Sequence, residues 1–191
     1  MKKHPEFSVH PFAPAGLFLL LFASSPIYAF AVLSSVFLHE MGHAIAALLL
    51  RKKILGIRIV PTGINITLSA AASYAEEWLI AAAGPLMNIL YAFSASLLPY
   101  SVGGTVRSIS LLLGGLNLLP LALLDGGRML NASISSLFGI DTAKRISELS
   151  TFVFLGILWT FALYIFFYSG VNFMLLLFCA YLFSYIVLKK F

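Results

Sequence analysis

Apolar residues in this chain fall in long runs rather than in short alternations. From Ala15 to Leu50 they continue almost without a break. One crossing of a bilayer takes about 20 residues, and Ser24-Ser25-Pro26 interrupts the run, so it predicts two helices, at about 13–25 and 27–50. Lys2 and Lys3 ahead of the first helix imitate a signal peptide, but no small-residue cleavage site follows and the next run begins at once. After Arg51-Lys52-Lys53, β-branched residues alternate on both sides of Pro61-Thr62-Gly63, the signature of a hairpin at about 57–69 beside the membrane. Further apolar runs predict helices at about 76–98, 106–124, 149–168 and 171–188. Pro99 to Arg107 reads as a loop, Gly126-Gly127 as a break, Arg128 to Phe138 as an amphipathic piece and Gly139 to Glu148 as a polar connection. The predicted fold class is all-α and integral to the membrane: a six-helix transmembrane bundle with a small membrane-associated β-hairpin, forming one domain over 1–191.

Composition sharpens that picture. Of the 191 residues, 61% are apolar and 10% charged, and mean hydropathy is +1.00. A water-soluble domain carries about 25% charged residues, so its surface cannot be built from this chain. One cysteine, Cys179, excludes a disulfide scaffold, and no heptad persists to support a coiled coil. The net charge of +5 does not indicate nucleic acid, because the cations sit at the ends of apolar runs rather than in one patch. Eleven of the twelve Lys and Arg fall together when six spans are threaded, with Arg107 alone on the other side. Both termini are therefore expected in the cytoplasm, in a multi-pass protein.

Charged groups inside apolar helices are costly, which makes each a candidate for function. His39-Glu40-Met41-Gly42-His43 lies in the 27–50 run. The i, i+4 spacing puts both imidazoles on one helix face, one turn apart, where they can grip a single ion. With four His and seven acids in 191 positions, chance yields this pattern roughly 0.003 times per chain. A purely structural use, with the polar side chains joining helices, is the competing explanation. Two histidines do not complete a catalytic zinc site, which has three protein ligands and an open position. Asp125 is the only acid between Glu77 and Asp141 and sits beside Gly126-Gly127, so it is the expected third ligand. Glu76 and Glu77 lie at a predicted helix start, where acids suit the helix dipole. The chemistry expected of one Zn²⁺ at His39, His43 and Asp125, with Glu40 as general base, is metal-assisted hydrolysis of a peptide bond.

Three ordered motifs carry a resemblance: His39-Glu40-Met41-Gly42-His43, Gly84-Pro85-Leu86-Met87-Asn88, and Asn117-Leu118-Leu119-Pro120 followed by Leu124-Asp125-Gly126-Gly127. Together they resemble the site-2 protease family of intramembrane zinc metalloproteases, peptidase family M50. Val9-His10-Pro11-Phe12 and Pro61-x-Gly63 make the chain most similar to the stage IV sporulation FB-type branch. The resemblance implies His39, His43 and Asp125 as zinc ligands and Glu40 as catalytic base. It also implies Asn88 and Asn117 as residues that position substrate or stabilise an oxyanion, although an Asn in a membrane helix equally serves as an interhelical hydrogen-bonding residue. The hairpin is implied as a strand edge for an unwound substrate, with an interfacial connector as its plain alternative. Leu123 departs from the pattern, since many relatives have proline there, and neither a PDZ nor a CBS domain is expected in this chain.

The reading that results is an intramembrane zinc metalloprotease with a cytoplasm-facing site, acting on a membrane-embedded or membrane-tethered protein within the lipid bilayer. By resemblance it processes the precursor of a sporulation transcription factor, in a bacterial cell membrane and there the outer forespore membrane, with an inhibitory membrane protein as a further partner. A membrane metal transporter using the same His and Asp residues, or a catalytically silent scaffold, are the alternatives.

Overall fold

The computed structural model describes residues 6–9, 25–60, 63–68, 73–169 and 174–190. The predicted span at 13–25 and the Pro61-Thr62 turn lie outside the described residues. Two compact units divide the chain, Met1–Leu118 and Leu119–Phe191.

The first unit contains three helices and a small sheet. Helix α1 covers Pro26–Leu49, with Pro26 at its first position and the Ser25 side chain accepting from the Tyr28 N–H. Strands β1 (Glu6–Val9), β2 (Ile54–Val60) and β3 (Gly63–Leu68) form a sheet in that order. β1 runs parallel to β2, and β2 antiparallel to β3. β1 was not predicted: Glu6-Phe7-Ser8-Val9 alternates polar and apolar positions, but over four residues only.

Helix α2 (Tyr74–Ser94) opens with a capping box in which Ser73 and Glu76 satisfy each other's backbone N–H. Lys52 Nζ is 2.8 Å from Glu76 Oε2. Glu76 is thus engaged at the helix start, in keeping with its reading as a terminal acid. A 3-10 turn (Ala95–Leu97) leads to α3 (Tyr100–Asn117). The segment read as a loop at 99–107 is therefore mostly helical. Pro99 caps α3 instead of breaking it, and a side chain at Gly103 would collide with the Ala95 carbonyl oxygen, so glycine is what lets the first turn of α3 lie on the preceding turn.

Small residues make up much of the interior of this unit, beside a few larger ones such as Ile80, Val106 and Ile109. Ala29, Ala31, Ser35, Gly42 and Ala47 are buried on α1; Ala81, Gly84 and Ala92 on α2; Gly103, Ser110 and Gly114 on α3. Large apolar side chains such as Phe30, Phe37, Leu90, Phe93 and Leu112 point outward, each more than half exposed. This is the inverse of a soluble core. Lipid solvates large apolar groups as well as a protein interior does, so helices associate through close backbone approach instead.

In the second unit, α4 (Asp125–Phe138) is followed by α5 (Ile140–Ser169) and α6 (Met174–Lys190). The run predicted as a helix over 106–124 ends at Asn117. Pro120 has no N–H to continue the ladder and disfavours helical geometry at Leu119 before it. The break thus precedes Asp125, and Gly126-Gly127 lie inside the first turn of α4 rather than in the break. The polar connection expected at 139–148 is also helical. Gly139, at φ +85°, ends α4, and α5 begins at the next residue with Asp141, Lys144 and Arg145 exposed on its surface.

Among the described residues, three helices are long and apolar enough to cross a membrane: Pro26–Leu49, Tyr74–Leu97 and Ile140–Ser169.

Candidate metal centre

His39, Glu40 and His43 sit on α1, and the crossing with α2 shapes their surroundings. A Cβ on Gly42 would stand 2.5 Å from the Ala83 carbonyl oxygen, so only glycine lets the α1 backbone come this close to α2. That approach brings the histidine face against Ile80 and Gly84. His39 and His43 are buried, and Glu40 is half-buried.

The Nδ1 of His43 lies 2.7 Å from the carbonyl oxygen of Ile80. A carbonyl only accepts, so Nδ1 carries the proton and Nε2 presents its lone pair. This second partner fixes the ring as it fixes many metal-bound histidines. The Nε2 atoms of His43 and His39 are 3.2 Å apart, with the rings at 87° to each other. Two nitrogens bound at zinc distance and tetrahedral angle stand about 3.3 Å apart. The pair therefore fits two adjacent corners of a zinc coordination sphere.

Gly84 keeps that space open. A side chain there would strike His43 Nε2 and Cε1 and His39 Cε1. α2 runs helically through Gly84 and Pro85, and the demand on Gly84 comes from the imidazoles.

Asn88, one turn further along α2, is fully buried. Its Nδ2 donates to the Ser110 carbonyl at 3.3 Å, and Ser110 Oγ donates to the Asn88 carbonyl at 3.0 Å. Asn88 thus joins α2 to α3, while its Oδ1 has no hydrogen-bond partner among the described residues. Asn117 donates to the Leu113 carbonyl in its own helix, 3.0 Å away.

Asp125 belongs to the second unit. It is buried in the first turn of α4, and its Oδ1 accepts from Arg128 Nη1 at 3.1 Å. The residues before it form an apolar loop. Leu121 is 1% exposed in a cluster with Leu155 and Leu182. A side chain on Gly127 would collide with the Leu121 carbonyl, so the loop lies directly against the start of α4. The Ala122 N–H donates to Thr151 Oγ1 at 2.9 Å, and Ser150 Oγ donates to the Pro120 carbonyl at 3.0 Å. Sequence reading passed over Ser150 and Thr151, taking their helix as apolar throughout; the only signal was a Ser147-x-x-Ser150-Thr151 cluster at its start.

Comparison with known proteins agrees with this architecture. The family model described as Peptidase M50B-like matches residues 13–188. The chain belongs to the M50B peptidase family. A zinc metalloprotease of Methanocaldococcus jannaschii is 31% identical over 142 residues, covering 70% of this chain and 38% of the relative. Stage IV sporulation protein FB of Bacillus subtilis is 28% identical over 170 residues, covering 84% of this chain and 58% of that protein. This M50B chain therefore spans about two-fifths and three-fifths of the length of the two curated relatives. The solved structure of a site-2 protease from Methanocaldococcus jannaschii has the same fold, with a TM-score of 0.67 and 23% identity over 96% of this chain and 91% of that one. Family membership and the three long apolar helices together mark a multi-pass membrane protein.

Proposed function

We propose that this chain is an intramembrane zinc metalloprotease that hydrolyses a peptide bond in a membrane-embedded or membrane-tethered protein. The observation that carries the reading is the imidazole pair: two buried Nε2 atoms 3.2 Å apart, one ring fixed by the Ile80 carbonyl, in a member of the M50B family.

His39 and His43 hold one zinc per chain, with Asp125 as the third protein ligand, the buried carboxylate that the family motif supplies. Zinc bound there supplies Lewis-acid activation of water and of the scissile carbonyl. Glu40 takes a proton from the attacking water and delivers it to the departing amine nitrogen. Asn88 and Asn117 are assigned to positioning the substrate on the strength of the family motifs that carry them; Asn88 is buried here, with its Oδ1 as the acceptor left for that task. A helical substrate has to unwind before its carbonyl is exposed to attack, because its own hydrogen bonds shield it.

The finer parts of the proposal are six spans, both termini in the cytoplasm, and a site open to that side, which the distribution of Lys and Arg supports. A sporulation role, and with it the outer forespore membrane and an inhibitory membrane partner, draws on the Bacillus subtilis relative. A membrane-tethered transcription factor precursor is the substrate class that goes with this role.

The test uses the purified full chain in detergent or vesicles. Glu40→Gln is expected to keep about one zinc per chain and to cut cleavage of a membrane-tethered substrate by about 10²–10⁴-fold. Cleavage at the wild-type rate by that variant would sink the general-base role. A metal transporter is the favoured alternative if Glu40→Gln moves zinc across vesicles as the wild type does and neither protein cleaves.

A further inference from the structure

We propose that Thr151, with Ser150 beside it, is a positioning residue for Asp125: it fastens the loop that leads into α4 and thereby sets metal affinity. The inference rests on the reading of Asp125 as a ligand. The loop between α3 and α4 has no regular ladder to hold it. Its own backbone bonds are short-range, from the Leu121 N–H to the Leu119 carbonyl and from the Leu124 N–H to the Leu121 carbonyl, both 2.8 Å. Its two ends bond to the neighbouring helices, Leu118 N–H to the Gly114 carbonyl of α3 and the Leu124 carbonyl to the Gly127 and Arg128 N–H groups of α4, and its middle is tied to α5.

Thr151 is 3% exposed. Its Oγ1 donates to the Ser147 carbonyl at 2.7 Å and accepts from the Ala122 N–H at 2.9 Å. A threonine in an apolar helix commonly spends its hydroxyl on the carbonyl four residues back and does nothing further. Here the donated proton polarises the oxygen that receives the loop amide, so the two bonds strengthen each other in a setting of low dielectric. Ser150 Oγ shares its proton between the Ser147 and Pro120 carbonyls, both at 3.0 Å. Successive loop groups, the Pro120 C=O and the Ala122 N–H, are thus both held by adjacent residues of one helix.

Ala122 stands three residues before Asp125, and the chain between them is short enough to pass a displacement on to the carboxylate. Leu121, seated between the two anchored groups, turns its side chain into the Leu155 and Leu182 cluster and its carbonyl against Gly127. Apolar packing fixes how deep the loop sits. Among the described residues the two hydroxyls supply the directional bonds that fix its position along α5, because dispersion contacts among leucines have little directional preference.

The experiment compares Thr151→Val, Thr151→Ser, Ser150→Ala and Asp125→Ala in the full chain, with two readouts. One is amide hydrogen exchange of the loop in zinc-free protein, and the other is the zinc dissociation constant by competition with a chelating dye. Thr151→Val keeps the shape and loses the acceptor. It is expected to speed exchange at Ala122 and to weaken zinc binding, each by about tenfold. Thr151→Ser is expected to restore both, and Ser150→Ala to show a smaller shift in the same direction. Wild-type zinc affinity in Thr151→Val, or a Thr151→Ser variant as weak as the valine, overturns the clamp. Wild-type affinity in Asp125→Ala instead removes the ligand assignment, so the two failures are told apart.

Discussion

The two units position their chemistry by opposite means. In the first, α1 and α2 bring backbones together over Gly42, Ala83 and Gly84, and the histidines are set directly by the helix that carries them. In the second, a non-helical apolar loop leads to Asp125, held by two α5 hydroxyls and a leucine cluster. A ligand pair at i, i+4 needs helical geometry, room for the rings and, for His43, the Ile80 carbonyl. A ligand that follows a loop needs each free backbone group to find a partner, since unsatisfied amides are costly away from water. Crowding is therefore the weakness of the first unit, and slackness that of the second.

The sharpest way to break this comparison is to add one methyl group to each unit. Gly84→Ala drives a Cβ into both imidazoles; zinc retained after purification is expected to fall to less than about a tenth of wild type, as metal analysis would show. The thermal midpoint falls less than in Gly127→Ala, since the imidazoles are side-chain ends that can turn aside, although His43 then gives up its bond to the Ile80 carbonyl. Gly127→Ala strikes the Leu121 backbone, which cannot rotate aside, and is expected to cost about 2–3 kcal/mol in denaturant titrations. If Gly84→Ala unfolds the chain and Gly127→Ala does not, the contrast between the units is reversed.

Leu121→Ala should be nearly as costly to stability, about 2–3 kcal/mol, because it empties a site closed by Leu155 and Leu182. Exchange at Ala122 measures whether the hydroxyl bond survives the lost packing. Smaller still is Ser110→Ala, which removes one interhelical hydrogen bond to Asn88 and is expected to cost about 0.6–1 kcal/mol in thermal unfolding. At the bottom of the range, Gly104→Ala and Gly115→Ala meet open space within 4 Å. They are expected to raise helix stability by about 0.5–1 kcal/mol, with no change in zinc content.

The helices most faithful to their predictions are those whose apolar runs end at strong signals. The run at 27–50 emerges as Pro26–Leu49, between Ser25-Pro26 and Arg51-Lys52-Lys53. The run at 106–124 misleads because Leu118–Leu124 is as apolar as a helix yet is a loop, made so by Pro120 and seated by the burial of Leu121 among leucines. Residues 139–148 mislead in the other direction: a helix can extend past its apolar stretch, here with Asp141, Lys144 and Arg145 exposed. Strand β1 has four residues and gains its identity only from pairing with β2, 50 positions away.

What the sequence determined by itself is what acts over one helical turn or one apolar run. The His39 and His43 spacing, the adjacent Glu40 and the isolation of Asp125 among uncharged neighbours are all of that kind. Only the tertiary structure decided which backbone groups complete the surroundings: the Ile80 carbonyl that sets the His43 tautomer, the absent side chain at Gly84, and the Thr151 hydroxyl that receives the Ala122 amide. Those roles fall to a carbonyl, a hydrogen atom and a hydroxyl that almost any residue of similar size could offer. Nothing in composition or spacing sets them apart until packing brings them to their partners.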